Sequence, residues 1–121
     1  ANKRSYTLTI RDTDVVEFAL SSDGTSVTSL LSANTIPAGV WTHIVGVSDG
    51  NTMKIFINGE QDPNTLSAVP IHSNNASLFV GKLQDTRFFN GIIDEVRIYN
   101  RALSEEEIIA HFKGARLPMV R

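Results

Sequence analysis

Two adjacent carboxylates in the segment IIDEVRIY, Asp94 and Glu95, are the first residues in this chain whose type invites a catalytic reading. Hydrolysis of a glycosidic bond needs an acid and a nucleophile across one cleft, and on a strand only alternate residues share a face. Being neighbours, Asp94 and Glu95 point to opposite sides of a strand and cannot form such a pair. His43, His72 and His111 are too widely spaced to make a local metal or base motif, although spacing leaves open their meeting in the fold. His43 falls in an alternating run and reads as a hydrogen-bonded sheet residue. The chain has no cysteine, so it carries neither a disulfide framework nor thiolate chemistry.

Binding residues are better represented than catalytic ones. In DTRFFNG, Phe88 and Phe89 are successive and cannot both face a core, so one is expected at the surface, flanked by Arg87 and Asn90. Pyranose faces stack on exposed rings while their hydroxyls take donors and acceptors, which makes Arg87, Phe88, Phe89 and Asn90 the candidate ligand-binding set. The competing reading is a loop that folds back and hides both rings. The polar loop HSNNAS adds Asn74 to the candidates, and Asn75 opens a glycosylation sequon that matters only in a eukaryotic secretory pathway. Asp94 shares a strand face with Ile92 and Val96, and an inward carboxylate needs a partner or a metal. A hydrogen-bonded or Arg-paired carboxylate is favoured there over metal. Trp41, the only tryptophan, starts an alternating strand and reads as a packing residue, while Asp62 in GEQDPN reads as turn chemistry.

These residues must be positioned by strands. Tyr6, Leu8 and Ile10 alternate with polar neighbours, as do Val16, Phe18 and Leu20, and the Asp-Gly pair in SSDGT favours a two-residue hairpin turn. A weaker strand, TSVTSLLS, ends at the Pro- and Gly-containing loop ANTIPAG. In GVWTHIVGVSDGNTMKIFINGE the runs from Trp41 to Ser48 and from Met53 to Asn58 carry apolar residues on both faces, so both strands are expected to be covered on two sides. Asn58-Gly59 is the strongest hairpin signal in the chain. ASLFVGK and FNGIIDEVRIYN are expected to be two further strands. The single helix, LSEEEIIAHFKG, has Ser104 as N-cap, Glu107 as capping-box partner and Gly114 as C-cap. Many short strands separated by turn signals, with one short C-terminal helical turn, describe an all-β antiparallel sandwich formed by a single domain over residues 1–121.

Composition excludes several partner classes. With a net charge of -2 and its charges scattered singly, the chain has no basic stripe to neutralise phosphates, so nucleic acid is not an expected partner. No apolar run is long enough to span a bilayer, and ANKRSYTLTI lacks the apolar core of a signal peptide.

The order WTHIVGVSDGNTMKIFINGE, LFVGK, FNGIIDEVRIYNRALSEEEI resembles the C-terminal part of a concanavalin A-like jelly-roll domain of the laminin-G-like and pentraxin type. The motifs cover Trp41 to Ile108, and Gly91 to the acidic turn after Ser104 is their most specific block. The resemblance implies a non-catalytic lectin-like carbohydrate-binding or adhesion module of a larger extracellular or cell-surface protein, with glycan or extracellular protein as partner. It also implies calcium held by rim-loop oxygens, for which Gln84 and Asp85 match by position and Asp94 is the further candidate ligand. Family members open with additional strands, so the chain is expected to be truncated at its N-terminal side. The alternative reading follows from that expectation: a structural or assembly domain making homotypic contacts through an open sheet edge, without sugar.

Overall fold

A computed structural model describes residues 5–74, 77–83 and 87–114. Strands β1 (Tyr6–Ile10), β2 (Val15–Leu20) and β3 (Thr28–Thr35) form one antiparallel sheet in the order β1-β2-β3. Strands β4 (Ile44–Ser48), β5 (Thr52–Ile57) and β6 (Glu60–Ser67) form a second in the order β4-β5-β6. The expected all-β sandwich is therefore present. Its core lies between the sheets, where Val16, Phe18, Leu20 and Leu30 meet Met53 and Ile55. Apart from Leu30 of β3, these are alternating residues of β2 and β5, as period 2 predicts.

The sheets approach closely at Gly46, where an added Cβ would lie 2.6 Å from the Phe18 ring. Only a residue without a side chain lets β4 approach that ring. On the opposite face of the second sheet, Val47 and Phe56 pack against Ile108 of helix α1 (Glu105–Phe112). The two-sided apolar pattern of β4 and β5 is thus explained, one face meeting the other sheet and one meeting the helix. Both parts of the capping box form, with Glu107 N donating to Ser104 Oγ at 3.1 Å and Ser104 N donating to Glu107 Oε1 at 2.8 Å. The C-cap is Lys113, and Gly114 follows it in the left-handed region with φ 64°. Gly114 is therefore one position beyond the expected cap.

The turns are resolved by local chemistry. Asn58 and Gly59 both have positive φ, as a type I′ hairpin requires. The Asp-Gly pair at Asp23-Gly24 instead sits in a longer connection between β2 and β3. There Asp23 Oδ1 accepts from the N–H groups of Thr25 at 2.9 Å and Ser26 at 2.8 Å, and Gly24 N donates to Ser21 Oγ at 2.8 Å. These side-chain acceptors hold a wider loop than a two-residue turn. Where the β2–β3 register shifts between Val15 and Glu17, the Val16 N–H leaves the regular ladder, and the buried Ser32 hydroxyl accepts it at 2.9 Å.

Several expectations fail where the sequence alternates but no partner strand is present among the described residues. The second sheet begins at Ile44 rather than Trp41, and Trp41 is 68% exposed instead of packed. ASLFVGK contributes only the two-residue strand β7 (Lys82–Leu83), paired with β8 (Arg87–Phe88). FNGIIDEVRIYN forms no strand beyond β8, and its apolar residues Ile92, Val96 and Ile98 are exposed. Alternation records that a segment suits a pleated sheet, and pairing needs a neighbour as well.

Candidate functional site

The β7–β8 hairpin gathers most of the described binding candidates. Lys82 faces Phe88 and Leu83 faces Arg87 in the ladder, and the Phe89 N–H donates to Gly81 O at 2.8 Å, extending the pairing by one step. Phe88 is 71% exposed, and Phe89 and Asn90 are exposed beside it. Both rings are outward, so neither the single-exposed-ring expectation nor the hidden-loop reading holds. A third ring joins them: Phe79 is exposed, and the Lys82 ammonium lies over it at 5.0 Å from the centroid. Phe79 and Lys82 were not among the sequence candidates, because only the hairpin register brings Lys82 opposite Phe88. Phe89 folds over Gly91, where a Cβ would lie 2.8 Å from its ring.

The remaining candidates have other roles or lie elsewhere. Asn74 Nδ2 donates to Ser5 Oγ at 2.7 Å, and that hydroxyl donates to the His72 carbonyl, so the loop is tied to the start of β1. Gln84 and Asp85 lie outside the described residues. Asp94 is exposed and accepts from the Glu95 N–H at 2.8 Å, and it has no inward face because its segment is not a strand. Glu95 in turn pairs with Arg97 at 3.4 Å. Among the described residues no three His, Asp or Glu side chains converge into a metal-holding group.

Asp62 overturns its reading as turn chemistry. It sits in β6 at 2% exposure, and its carboxylate accepts from Ala33 N at 2.8 Å, Asn34 N at 3.1 Å, Asn34 Nδ2 at 3.0 Å and Asn64 N at 3.1 Å. Burial alone would push this carboxyl up, but the N–H groups of Ala33, Asn64 and Asn34 together hold it below the usual range. Its role is to join the sheets, with its donors already in place.

A cleft of about 360 Å³ opens between the outer face of the second sheet and the turn before α1, with Val47, Phe56 and Leu103 below and Asp49, Lys54 and Gln61 at its lip. Asp49 accepts from the N–H groups of Asn51 at 2.9 Å and Thr52 at 2.8 Å, so this acid is tied to its own turn. The cleft has the volume of a small-molecule site but not the exposed rings of the hairpin.

A laminin G family model described as the concanavalin A-like lectin/glucanases superfamily matches residues 1–109, and the chain belongs to that superfamily. Its sequence is 31% identical over 85 residues to the human adhesion G-protein coupled receptor D1, a match taking in 65% of this chain and 10% of the receptor. The chain thus spans about a tenth of the length of that relative. Its fold is similar to the crystal structure of an S-layer domain-containing protein from Clostridium thermocellum, with a TM-score of 0.55 and 23% identity over 93% of this chain and 58% of that one. At that identity the likeness is one of fold. Among the described residues no helix is long and apolar enough to cross a membrane.

Proposed function

We propose that this chain is a non-catalytic adhesion module, displayed outside the cell as part of a longer protein, that binds glycan through its aromatic hairpin. The observation that carries the reading is the set of exposed rings Phe79, Phe88 and Phe89 on and beside the β7–β8 hairpin, with the Lys82 ammonium over the Phe79 ring. Ring faces take the apolar faces of sugars, while Lys82 and Asn90 supply donors to hydroxyl or acidic substituents. Extracellular display is supported by membership of a superfamily that includes lectins and by the sequence similarity to an adhesion receptor. The non-catalytic reading rests on the absence of a carboxylate pair at Asp94 and Glu95, since one caps its neighbour's N–H and the other pairs with Arg97. Calcium, in the same reading, belongs to Gln84 and Asp85, which lie between β7 and β8 in the chain, rather than to Asp94.

A glycan array followed by calorimetry on the ligands retained tests the proposal. Phe88→Ala and Phe89→Ala together should weaken binding about tenfold or more while leaving the melting temperature unchanged, because two stacking contacts are lost at exposed positions. Binding that survives both substitutions, or a chain that retains no glycan and captures only extracellular protein, overturns it.

A further inference from the structure

An acidic or amide side chain stands directly before glycine at Asp23-Gly24, Asp49-Gly50, Asn58-Gly59 and Asn90-Gly91. Such pairs are prone to react with themselves, because a glycine has no side chain to keep its nitrogen away from the preceding side-chain carbonyl. Reaction needs a near-attack geometry, and hydrogen bonds that fix the side-chain oxygen oppose it. The first three pairs are fixed. Asp23 Oδ1 accepts from the N–H groups of Thr25 at 2.9 Å and Ser26 at 2.8 Å, and Asp49 Oδ1 from those of Asn51 at 2.9 Å and Thr52 at 2.8 Å. These contacts hold both carboxyls below their usual range, in the ionised form that is no electrophile. Asn58 Oδ1 accepts from His43 N at 2.9 Å, its own N–H donates to His43 O at 2.8 Å, and the Ile57–Glu60 pair closes the turn. Gly24, Gly50 and Gly59 are each held in the left-handed region, at φ 86°, 90° and 81°.

Asn90 differs on every count. Among the described residues nothing hydrogen-bonds its carboxamide or the Gly91 N–H, and the last hairpin bond, from Phe89 N to Gly81 O, is one residue earlier. Gly91 is outside the left-handed region, and a Cβ there would lie 2.8 Å from the Phe89 ring, so the packing of that ring keeps the reactive neighbour a glycine. We propose that Asn90 is a self-modifying site, where spontaneous deamidation adds a carboxylate to the aromatic hairpin. The Gly91 nitrogen attacks Asn90 Cγ, the bond from Cγ to the side-chain nitrogen breaks, and ammonia leaves with the proton that the Gly91 N–H gives up. The product is a five-membered succinimide. Water then opens either of its carbonyls, giving an aspartyl or an isoaspartyl linkage, with no oxidant or reductant involved. One negative charge is thereby added to a chain whose net charge is -2. It stands two residues beyond Phe88, whose ladder partner is Lys82. On the glycan reading above, the change also replaces one of the hairpin's donors by an acceptor. That consequence rests on the glycan reading, whereas the modification itself is read by mass alone.

Trypsin places the two Asn-Gly pairs in different peptides, 55–82 and 88–97, so one digest compares them. The chain is held in mildly alkaline buffer, and in parallel in urea, then digested and followed by mass spectrometry over time. In the folded chain, peptide 88–97 should gain the mass of the amide-to-acid change and split into two chromatographic isomers, about tenfold or more faster than peptide 55–82 reacts at Asn58. In urea the two rates should converge, because the local sequence is then the only difference that counts. Ion-exchange chromatography of the folded chain should show a more acidic form growing at the same rate as the modified peptide, and Asn90→Gln should abolish it. Equal rates at Asn58 and Asn90 in the folded chain overturn the proposal. So does an Asn90 that reacts in urea but stays an amide in the folded chain, or an acidic form that persists in Asn90→Gln.

Discussion

Asp62 holds Asn34 at two points, accepting from its backbone N–H at 3.1 Å and from its Nδ2 at 3.0 Å. The contact joins β6 of one sheet to β3 of the other, and Asn64 Nδ2 returns it by donating to the Leu31 carbonyl at 3.0 Å. Removing the acid leaves buried donors without acceptors, a larger penalty than the bonds themselves would suggest. Asp62→Ala should destabilise the fold by about 3 kcal/mol and Asn34→Ala by about 1 kcal/mol in urea unfolding. Equal losses for the two variants would place the dependence on Asn34 rather than on the carboxylate.

Asp62 also marks the limit of what the sequence discloses. Its partners Ala33 and Asn34 are distant in the chain, and local turn chemistry carries no trace of them. By contrast, the Asn58-Gly59 turn and the Ser104–Glu107 capping box are legible because every participating atom lies within a few residues. The core of β2 and β5 is legible as well, since its alternation coincides with real partners on both sides. Trp41 and the run from Ile92 to Tyr99 carry the same kind of pattern but remain exposed, because burial depends on what lies across from a strand. The aromatic hairpin was half legible: Phe88 and Phe89 announce themselves as a pair, while Phe79 and Lys82 enter only through the ladder register.

Acid should loosen the chain between about pH 4.5 and pH 2. The Arg101 guanidinium, bonded to Glu107 at 2.9 and 2.7 Å, and the Ser104 N–H together lower the Glu107 carboxyl to about 2. The N–H groups of Thr25 and Ser26 lower Asp23 to about 2 as well. Both groups bind protons more weakly in the folded chain, so their contribution is complete above their unfolded values of 4.5 and 3.8 and is lost as pH falls toward 2. Melting temperature measured from pH 6 to pH 2 should fall through that window, and Glu107→Gln should flatten part of the fall. A Glu107→Gln profile parallel to that of the unsubstituted chain would refute the assignment.

Calcium is expected to act, where it binds, at Gln84 and Asp85 and not at Asp94. A ligand that binds only the folded state raises its melting temperature. Calcium added after chelation should therefore raise the melting temperature of the unsubstituted chain and of Asp94→Ala equally, and the rise should disappear in Asp85→Ala. Loss of the rise in Asp94→Ala alone would return the metal to Asp94.

A second pH dependence should appear nearer neutrality, and it originates at His43. Its ring sits 6.0 Å from that of Phe112 at the end of α1, and Nδ1 is buried with no hydrogen-bond partner among the described residues. Burial is the main cause that lowers its pKa below 6.5, the charge of His111 adds to the lowering, Glu95 opposes it and Arg97 reinforces it. The folded chain therefore prefers neutral His43 while the unfolded chain binds the proton more readily. Stability is complete above pH 6.5 and falls as pH drops toward the lowered value, which is the sense expected of a histidine buried uncharged. The dependence should act through the packing of α1 on the second sheet, because His43 enters β4 on the side that meets Phe112. His43→Leu keeps an apolar side chain against that ring, so it should hold stability constant across this pH range. Nuclear magnetic resonance should show His43 titrating below 6.5 in the unsubstituted chain. Titration at or above that value, or an unchanged pH slope in His43→Leu, would show that the buried ring is not the group being charged.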